Sequence, residues 1–392
     1  MTQLRDVAIV GAGLLGLAAG HALAARGYDV VVLEQADVGH PDSGSKGKCR
    51  IFRLGYPDPG YVRAAQRSAE LWHQLEAKSD RQILWPTPQL TLGAGLRSVQ
   101  QAMEAVGAPC ELLTAAEAAY RFPAVRSGGP ALLEPDSAVI AADEALAALA
   151  AGTADLRTSV RVLRLADRGD QVMLRTSAGP VTARTAIITA GPWSGGLLAT
   201  LGVPLPGRST LEQVSYLRPV TNDRSGPAGT STAVTGNAPR APIFLCHTDR
   251  SPYGLPVPGS ALYKIGIHPS GPAIDPDAQD QSPDRRLAVQ LADAASRYLP
   301  GYDPEPVSSE RCVYDNSPDE DFVVDRVGNV VIGSGTSGHG FKFGPLLGEW
   351  LADLATGSIG PAGEMDGALR ERFAIGRFRP GQDGPGYRDN GP

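Results

Sequence analysis

The chain has 392 residues, with 36 Lys and Arg against 42 Asp and Glu, a net charge of −6 and 42% apolar residues. This length exceeds what one hydrophobic core supports and predicts about two domains of ordinary size. The acidic balance, without a basic tract of five or more residues, excludes a general nucleic-acid binder.

Residues 6–10 read as a short apolar strand, followed by the turn Gly11-Ala12-Gly13-Leu14-Leu15-Gly16 and a helix to residue 25. A second strand spans 30–33 and ends in Glu34, which completes a βαβ unit. The apolar run 7–25 behind Arg5 superficially resembles a signal peptide or anchor. Its four glycines, His21 and its change from strand-like to helix-like periodicity argue against that reading. No other stretch approaches the roughly 20 apolar residues of a spanning helix, so a soluble protein without a membrane partner is expected.

Residues 41–49 form a Gly/Ser/Lys loop, and 61–78 a helix with Ala65, Ala69, Trp72 and Leu75 on one face. A second helix is expected at 141–151 and a buried strand at 183–189. Residues 225–242 read as a loop or weak edge. Strands follow at 242–247, 252–257 and 262–268, then a helix at 284–298. A strand at 329–332 leads into a Gly-rich loop and a helix at 345–355, and 376–392 is expected to be a flexible tail. Cys49, Cys110, Cys246 and Cys312 are widely spaced, so a reducing cytoplasm is expected, with neither a disulfide scaffold nor a metal site.

The glycines of the first turn have separate tasks. Gly11 permits the tight turn, Gly13 lets the backbone approach a pyrophosphate, and Gly16 allows close helix–strand packing. Glu34, 18 residues beyond Gly16, stands where an acid accepts from ribose hydroxyls. This unit alone does not separate FAD from NAD. Two later segments favour FAD: the strand running into Gly191-Pro192-Trp193, and the loop 333–343. The glycines of that loop suit close backbone approach to a ligand.

Alternation in 262–268 places Tyr263, Ile265 and Ile267 on one face and Lys264, Gly266 and His268 on the other. An apolar face packs on the core, which leaves an ammonium and an imidazole on a site wall. Gly266 would clear space there for a ligand.

Five motifs carry a resemblance over nearly the whole chain, to about Phe373. They are Gly44-Ser45 through Arg50-Ile51-Phe52-Arg53, Tyr253-Gly254-Leu255-Pro256, and Lys264-Ile265-Gly266-Ile267-His268. The others are Arg311-Cys312-Val313-Tyr314 with Ser317-Pro318-Asp319, and Ser337-Gly338-His339-Gly340-Phe341-Lys342-Phe343. In these the chain resembles the D-amino acid oxidase superfamily of flavoproteins, in its monomeric sarcosine oxidase and N-methyltryptophan oxidase branch.

The resemblance implies an α/β fold of mixed α+β character. A Rossmann-like FAD-binding domain would comprise residues 1–80, 143–210 and 320–375, and a mixed-sheet substrate-binding domain 81–142 and 211–319. FAD would be held by Gly11, Gly13, Leu14, Leu15, Gly16, Glu34, Gln35, Ser43, Gly44, Ser45, Arg50, Gly191, Trp193, Gly338, His339, Gly340 and Lys342. Cys312 would carry it covalently. Lys264, Arg50 and His268 would be catalytic, with Lys264 activating O2 through a water beside the flavin. Arg53 and Lys342 would bind the substrate carboxylate, and Tyr253, Tyr314 and Leu245 would line the pocket. Two cations suit a carboxylate, Arg by its fork and Lys as a point charge.

Departures from the family pattern lie at Lys46, Lys48 and Cys49, at Asp315-Asn316-Ser317, at Thr336 and at Leu245, and they bear on the substrate. The implied activity is oxidation of a small amino or imino acid, foremost a secondary amine, to an imine, with O2 reduced to H2O2 by a monomeric enzyme. Four alternatives stay open. They are a dehydrogenase with another acceptor, a primary amine oxidase of the D-amino acid or glycine oxidase kind, a flavin protein without turnover, and a NAD-dependent dehydrogenase.

Overall fold

The computed structural model describes residues 3–220, 241–248, 250–278 and 280–378. Of the loop expected at 225–242 only 241 and 242 fall within these, and 379–392 also lie outside the described residues.

The first strand, Leu4–Val10, runs parallel to both Val30–Leu33 and Gly179–Ile188 in an eight-stranded sheet. Its apolar residues Val7, Ala8, Ile9 and Val10 are all buried, as both faces of a parallel sheet are covered. The long strand Gly179–Ile188 has two partners along its other edge. Its first half pairs antiparallel with Val172–Thr176 and its second half parallel with Val330–Ser334. The sheet is thus assembled from the beginning, middle and end of the chain.

The helix Leu14–Ala25 begins directly after the glycine turn and packs against Gly344–Thr356. Gly16 lies at the tightest point, where a Cβ would stand 1.9 Å from the carbonyl oxygen of Gly11. Arg26 ties the two helices together, donating to Asp353 at 2.7 Å and pairing with Glu349. A third helix, Pro59–Ser79, starts where Asp58 accepts from the Gly60 and Tyr61 amides, and Pro59 stands at its first position. Its buried face includes Ala65, Trp72 and Leu75, as the spacing predicts.

The second sheet also has eight strands, in the order Ser308–Asn316, Arg208–Leu217, Tyr263–Ile267, Pro252–Pro256, Ile243–His247, Gln89–Gly93, Ala131–Glu134 and Glu111–Leu113. Ile243–His247 and Gln89–Gly93 run parallel within this otherwise antiparallel set, so the sheet is mixed. Tyr263, Ile265 and Ile267 enter the core beneath it. A small third sheet joins Cys49–Phe52, Ala138–Ala141 and Leu84–Pro86.

Helices expected at 141–151, 284–298 and 345–355 are found at Ala142–Ala151, Arg285–Tyr298 and Gly344–Thr356. The tail expected from residue 376 does not hold at its first residues. Ile375–Arg377 forms a 3-10 turn, and Arg377 fastens it to Asp319 through bonds of 2.8 and 3.0 Å. No helix among the described residues is long and apolar enough to cross a membrane.

Because a side chain at Gly16 has no room beside the Gly11 carbonyl, Gly16→Val should cost about 3 kcal/mol. A lowered melting temperature and loss of bound cofactor would register it.

Candidate active site

The two large sheets and their loops enclose a cleft of about 1830 Å3. Pockets for one drug-sized ligand hold roughly 300–1,000 Å3, so this cleft has room for a dinucleotide and a second small molecule. With two exceptions, every residue singled out from the sequence as a site residue lines it. The exceptions are Gly16, which supports the turn from beneath, and Gly266, which faces the Tyr253 ring.

At one end lies the glycine turn. Gly11 has φ +96°, a conformation that L side chains rarely adopt, and a Cβ there would meet the Thr189 carbonyl oxygen at 2.6 Å. The first turn of helix Leu14–Ala25 carries no acidic residue. Ser45 arches over it, its Oγ accepting from the Leu14 amide at 3.0 Å. Glu34 Oε2 accepts from the Ala12 amide at 2.7 Å and Oε1 from the Ala36 amide at 3.1 Å. This fixes the carboxylate at the strand end. Amide donors, a positive helix terminus and a side-chain-free approach fit a pyrophosphate, and the buried acid fits a ribose.

Trp193 lines the cleft with its indole Nε1 donating to Asp277 at 2.8 Å, and Arg161 pairs with the same carboxylate at 2.8 Å. Gln281, slightly further along, accepts from Lys46 Nζ and donates to Asp42, both at 3.1 Å. The segment holding Asp277 and Gln281 thus runs across the cofactor loop.

A group of cations occupies the inner wall. Lys264, 5% exposed, donates from Nζ to the Cys49 carbonyl at 3.1 Å, and Arg50 Nη1 donates to the same oxygen at 3.0 Å. Burial, and then the charge of Arg50, push the Lys264 ammonium below its ordinary pKa. Cys312 faces this group from strand Ser308–Asn316. Burial raises its thiol pKa, while Lys264, Arg50 and Lys46 act in the opposite sense. His268 follows two residues after Gly266 on the Lys264 face, and burial lowers its pKa, so the imidazole is neutral at pH 7.

The glycines reserved for ligand contact serve a different purpose. A Cβ at Gly266 would fall 2.4 Å from the Tyr253 ring, and one at Gly338 would fall 2.2 Å from the Tyr314 ring. The space belongs to the two tyrosines, whose hydroxyls hydrogen-bond to each other. Tyr314 also lies 5.5 Å from the His268 ring, centroid to centroid.

Arg53 lies over the Tyr56 ring, 4.0 Å from its centroid. Lys342, 4% exposed, donates to the Tyr56 hydroxyl at 3.0 Å and to the His339 carbonyl at 2.7 Å. Burial, followed by Arg53, holds its ammonium well below the ordinary pKa. Ser68 Oγ and Trp72 Nε1 both donate to the Lys342 carbonyl, at 2.6 and 2.9 Å, so the helix Pro59–Ser79 sets its backbone. His339, expected at the cofactor, spends all its donors within the chain. Its amide donates to the Thr336 carbonyl at 3.0 Å, and its ring bonds to Tyr56 and to the Glu320 carbonyl.

Three residues of this site escaped the sequence reading, and a fourth, Asp315, was read only as a departure from the family pattern. Tyr56 gave no signal beyond its nearness to Arg53. His247 lies two residues after Leu245 on one strand, so alternation would have placed both on the cleft wall. Buried Glu212 accepts from Ser270 and Gly271 amides, both at 2.8 Å, and anchors the chain after His268. Asp315 accepts from Ser334 Oγ and the Gly335 amide, both at 2.7 Å, and so fastens the Gly-rich loop to the Cys312 strand.

A glycine turn fitted to a dinucleotide, opening on a wall of buried cations, defines a dinucleotide-dependent oxidoreductase. The chain belongs to the FAD dependent oxidoreductase family, which it matches over residues 6–354. It is 33% identical to the peroxisomal sarcosine oxidase of Mus musculus over 374 residues, 90% of this chain and 93% of that one. Against the monomeric sarcosine oxidase of Bacillus sp. (strain NS-129) the identity is 31%, over 90% of this chain and 92% of that one. Among solved structures, a Tyr258Phe mutant of NikD, described as an unusual amino acid oxidase essential for nikkomycin biosynthesis, aligns with TM-score 0.80. That alignment has 25% identity and covers 95% of this chain and 97% of the other. The protein is therefore an FAD-dependent amine oxidase of the sarcosine oxidase and N-methyltryptophan oxidase type, acting on CH–NH groups.

Ser45→Ala removes the acceptor for the Leu14 amide, at a cost of about 1 kcal/mol. A weaker FAD affinity and a slightly lower melting temperature should both follow, as titration of the apoprotein and a thermal scan would measure.

Proposed function

We propose that this enzyme oxidises a small carboxylated amine, foremost an N-methyl amino acid or cyclic imino acid, to its imine and passes the electrons to O2. The observation that carries this reading is the pairing of Arg53 with the buried Lys342 in the same cleft as Lys264 and His268. Neither Arg53 nor Lys342 has a carboxylate within ion-pair distance among the described residues, which suits them to a carboxylate brought by the substrate. The names of the sarcosine oxidase relatives support the substrate class.

When bound, FAD supplies the acceptor for the hydride equivalent. The residues prepare that transfer in three ways. Arg53 and Lys342 hold the carboxylate, so the carbon–nitrogen bond stays in one orientation. His268 is neutral and does not repel a positive charge developing on nitrogen. The Tyr253–Tyr314 pair and Leu245 line the pocket and bound the space open to the substrate. Lys264, fixed by the Cys49 carbonyl, stabilises negative charge developing on O2.

Within the same proposal, Cys312 is the residue that holds the flavin covalently; burial raises its thiol pKa, and Lys264, Arg50 and Lys46 offset part of that rise. In this proposal the FAD domain comprises residues 1–80, 143–210 and 320–375 and is built on the first sheet, and the substrate domain comprises 81–142 and 211–319 and is built on the second. The enzyme acts as a monomer. Four cysteines without a disulfide agree with a reducing cytoplasm.

Acid precipitation separates the cofactor claims: a yellow pellet is the expected result, and a white pellet beneath a yellow supernatant would refute the Cys312 linkage while leaving the oxidase intact. Anaerobic reduction with N-methylglycine followed by air tests the acceptor, because slow recolouring would mark a dehydrogenase. Lys264→Met should slow recolouring about a hundredfold while flavin stays bound. In the native enzyme the O2 step needs protonated Lys264, whose pKa lies below its ordinary value. Its rate should therefore fall with rising pH, with a midpoint below the roughly 10.4 of a free lysine.

A further inference from the structure

The side chain of Tyr56 links the two cations of the carboxylate site, and its hydrogen bonds have a fixed direction. The Glu320 carbonyl can only accept, so His339 Nε2, 2.9 Å away, carries the ring proton. Burial keeps the imidazole neutral, so Nδ1 offers a lone pair to the Tyr56 hydroxyl at 3.1 Å. That hydroxyl therefore donates to His339 and turns its own lone pairs toward Lys342 Nζ, 3.0 Å away. The Tyr56 ring is held in turn by stacking on Tyr61, with centroids 5.0 Å apart and planes 18° from parallel.

An ammonium has three donors. Tyr56 and the His339 carbonyl take two of those on Lys342, leaving the third for a ligand in the cleft. Arg53 sits over the same ring, 4.0 Å from its centroid, and makes no hydrogen bond within the chain among the described residues, so its donors remain for the same ligand. Such stacking orients a guanidinium without consuming its protons.

We propose that Tyr56 is a positioning residue that makes Arg53 and Lys342 one anion-binding unit, with His339 setting the direction of its hydroxyl. The unit presents one ammonium proton and one guanidinium edge to a single carboxylate. This rests on the reading of Arg53 and Lys342 as the carboxylate pair and adds how that pair is held.

The test uses the FAD-loaded enzyme, with acetate as the carboxylate probe and N-methylglycine as the substrate. Tyr56→Phe keeps the ring and the Arg53 stacking but removes the hydroxyl. Its Kd for acetate, measured by calorimetry, should rise about tenfold, and KM for N-methylglycine should rise with it while kcat changes far less. His339→Gln keeps a donor for the Glu320 carbonyl but has no acceptor atom at the Nδ1 position that Tyr56 uses, so it should shift Kd the same way by a smaller factor. It serves as the second variant if Tyr56→Phe does not fold. Arg53→Met and Lys342→Met distinguish the two levels of the argument. If both weaken acetate while Tyr56→Phe or His339→Gln binds it within twofold of the wild type, the positioning role is overturned and the carboxylate pair stands. If neither Met variant weakens acetate, the pair is overturned, and the positioning role with it.

Discussion

The site is governed by positive charge set in a cleft without carboxylate partners, with Lys264 and Lys342 buried and Arg50 and Arg53 half-buried. Arg50, Arg53, Lys264 and Lys342 line one cleft, and none has an acidic oxygen within 4.0 Å among the described residues. Burying such charges costs several kcal/mol each unless something answers them. Here the answer comes from neutral oxygens: the carbonyls of Cys49, Lys46, Gly44 and His339 and the hydroxyl of Tyr56. Dipoles of this kind hold a cation in place without cancelling its charge. The wall therefore keeps its attraction for anions.

The lysines show why residue type matters here. The chain contains five lysines among its 36 cations, and the two most deeply buried stand at positions 264 and 342. Each fits a compact ammonium between one or two fixed acceptors. A guanidinium would need a planar fork of partners that neither place supplies. At Arg53 the opposite holds, since only a flat cation can lie on the Tyr56 ring and still present its edge.

The sequence was most legible where one physical requirement fixed the residue type. The glycine turn, the strand bearing Lys264 and the amphipathic helices all announced themselves through steric need or alternation. Strand Arg208–Leu217 did not, because buried Thr210, Glu212, Gln213 and Ser215 hide its apolar rhythm. Apart from the bond between Thr210 and Glu212, those polar groups find partners distant in sequence, such as the amides of Ser270 and Gly271 on Glu212. Gly266 and Gly338 were legible as close approaches, but what approaches them is a tyrosine from another strand, and spacing carries no such information. Tyr56 and His339 illustrate the same limit: their roles reside in the direction of hydrogen bonds that only the folded chain defines.

The threading of the first sheet has a consequence for how the enzyme is made. The glycine turn lies within the first 16 residues, yet the strand Val330–Ser334 and the helix Gly344–Thr356 that complete its surroundings come near the end. A ribosome must therefore release almost the entire polypeptide before the cofactor cradle can close. Until then the N-terminal βαβ unit has an unpaired neighbour and an uncovered helix face. Capture of FAD thus reports that the first sheet and the helix Gly344–Thr356 have closed around the glycine turn.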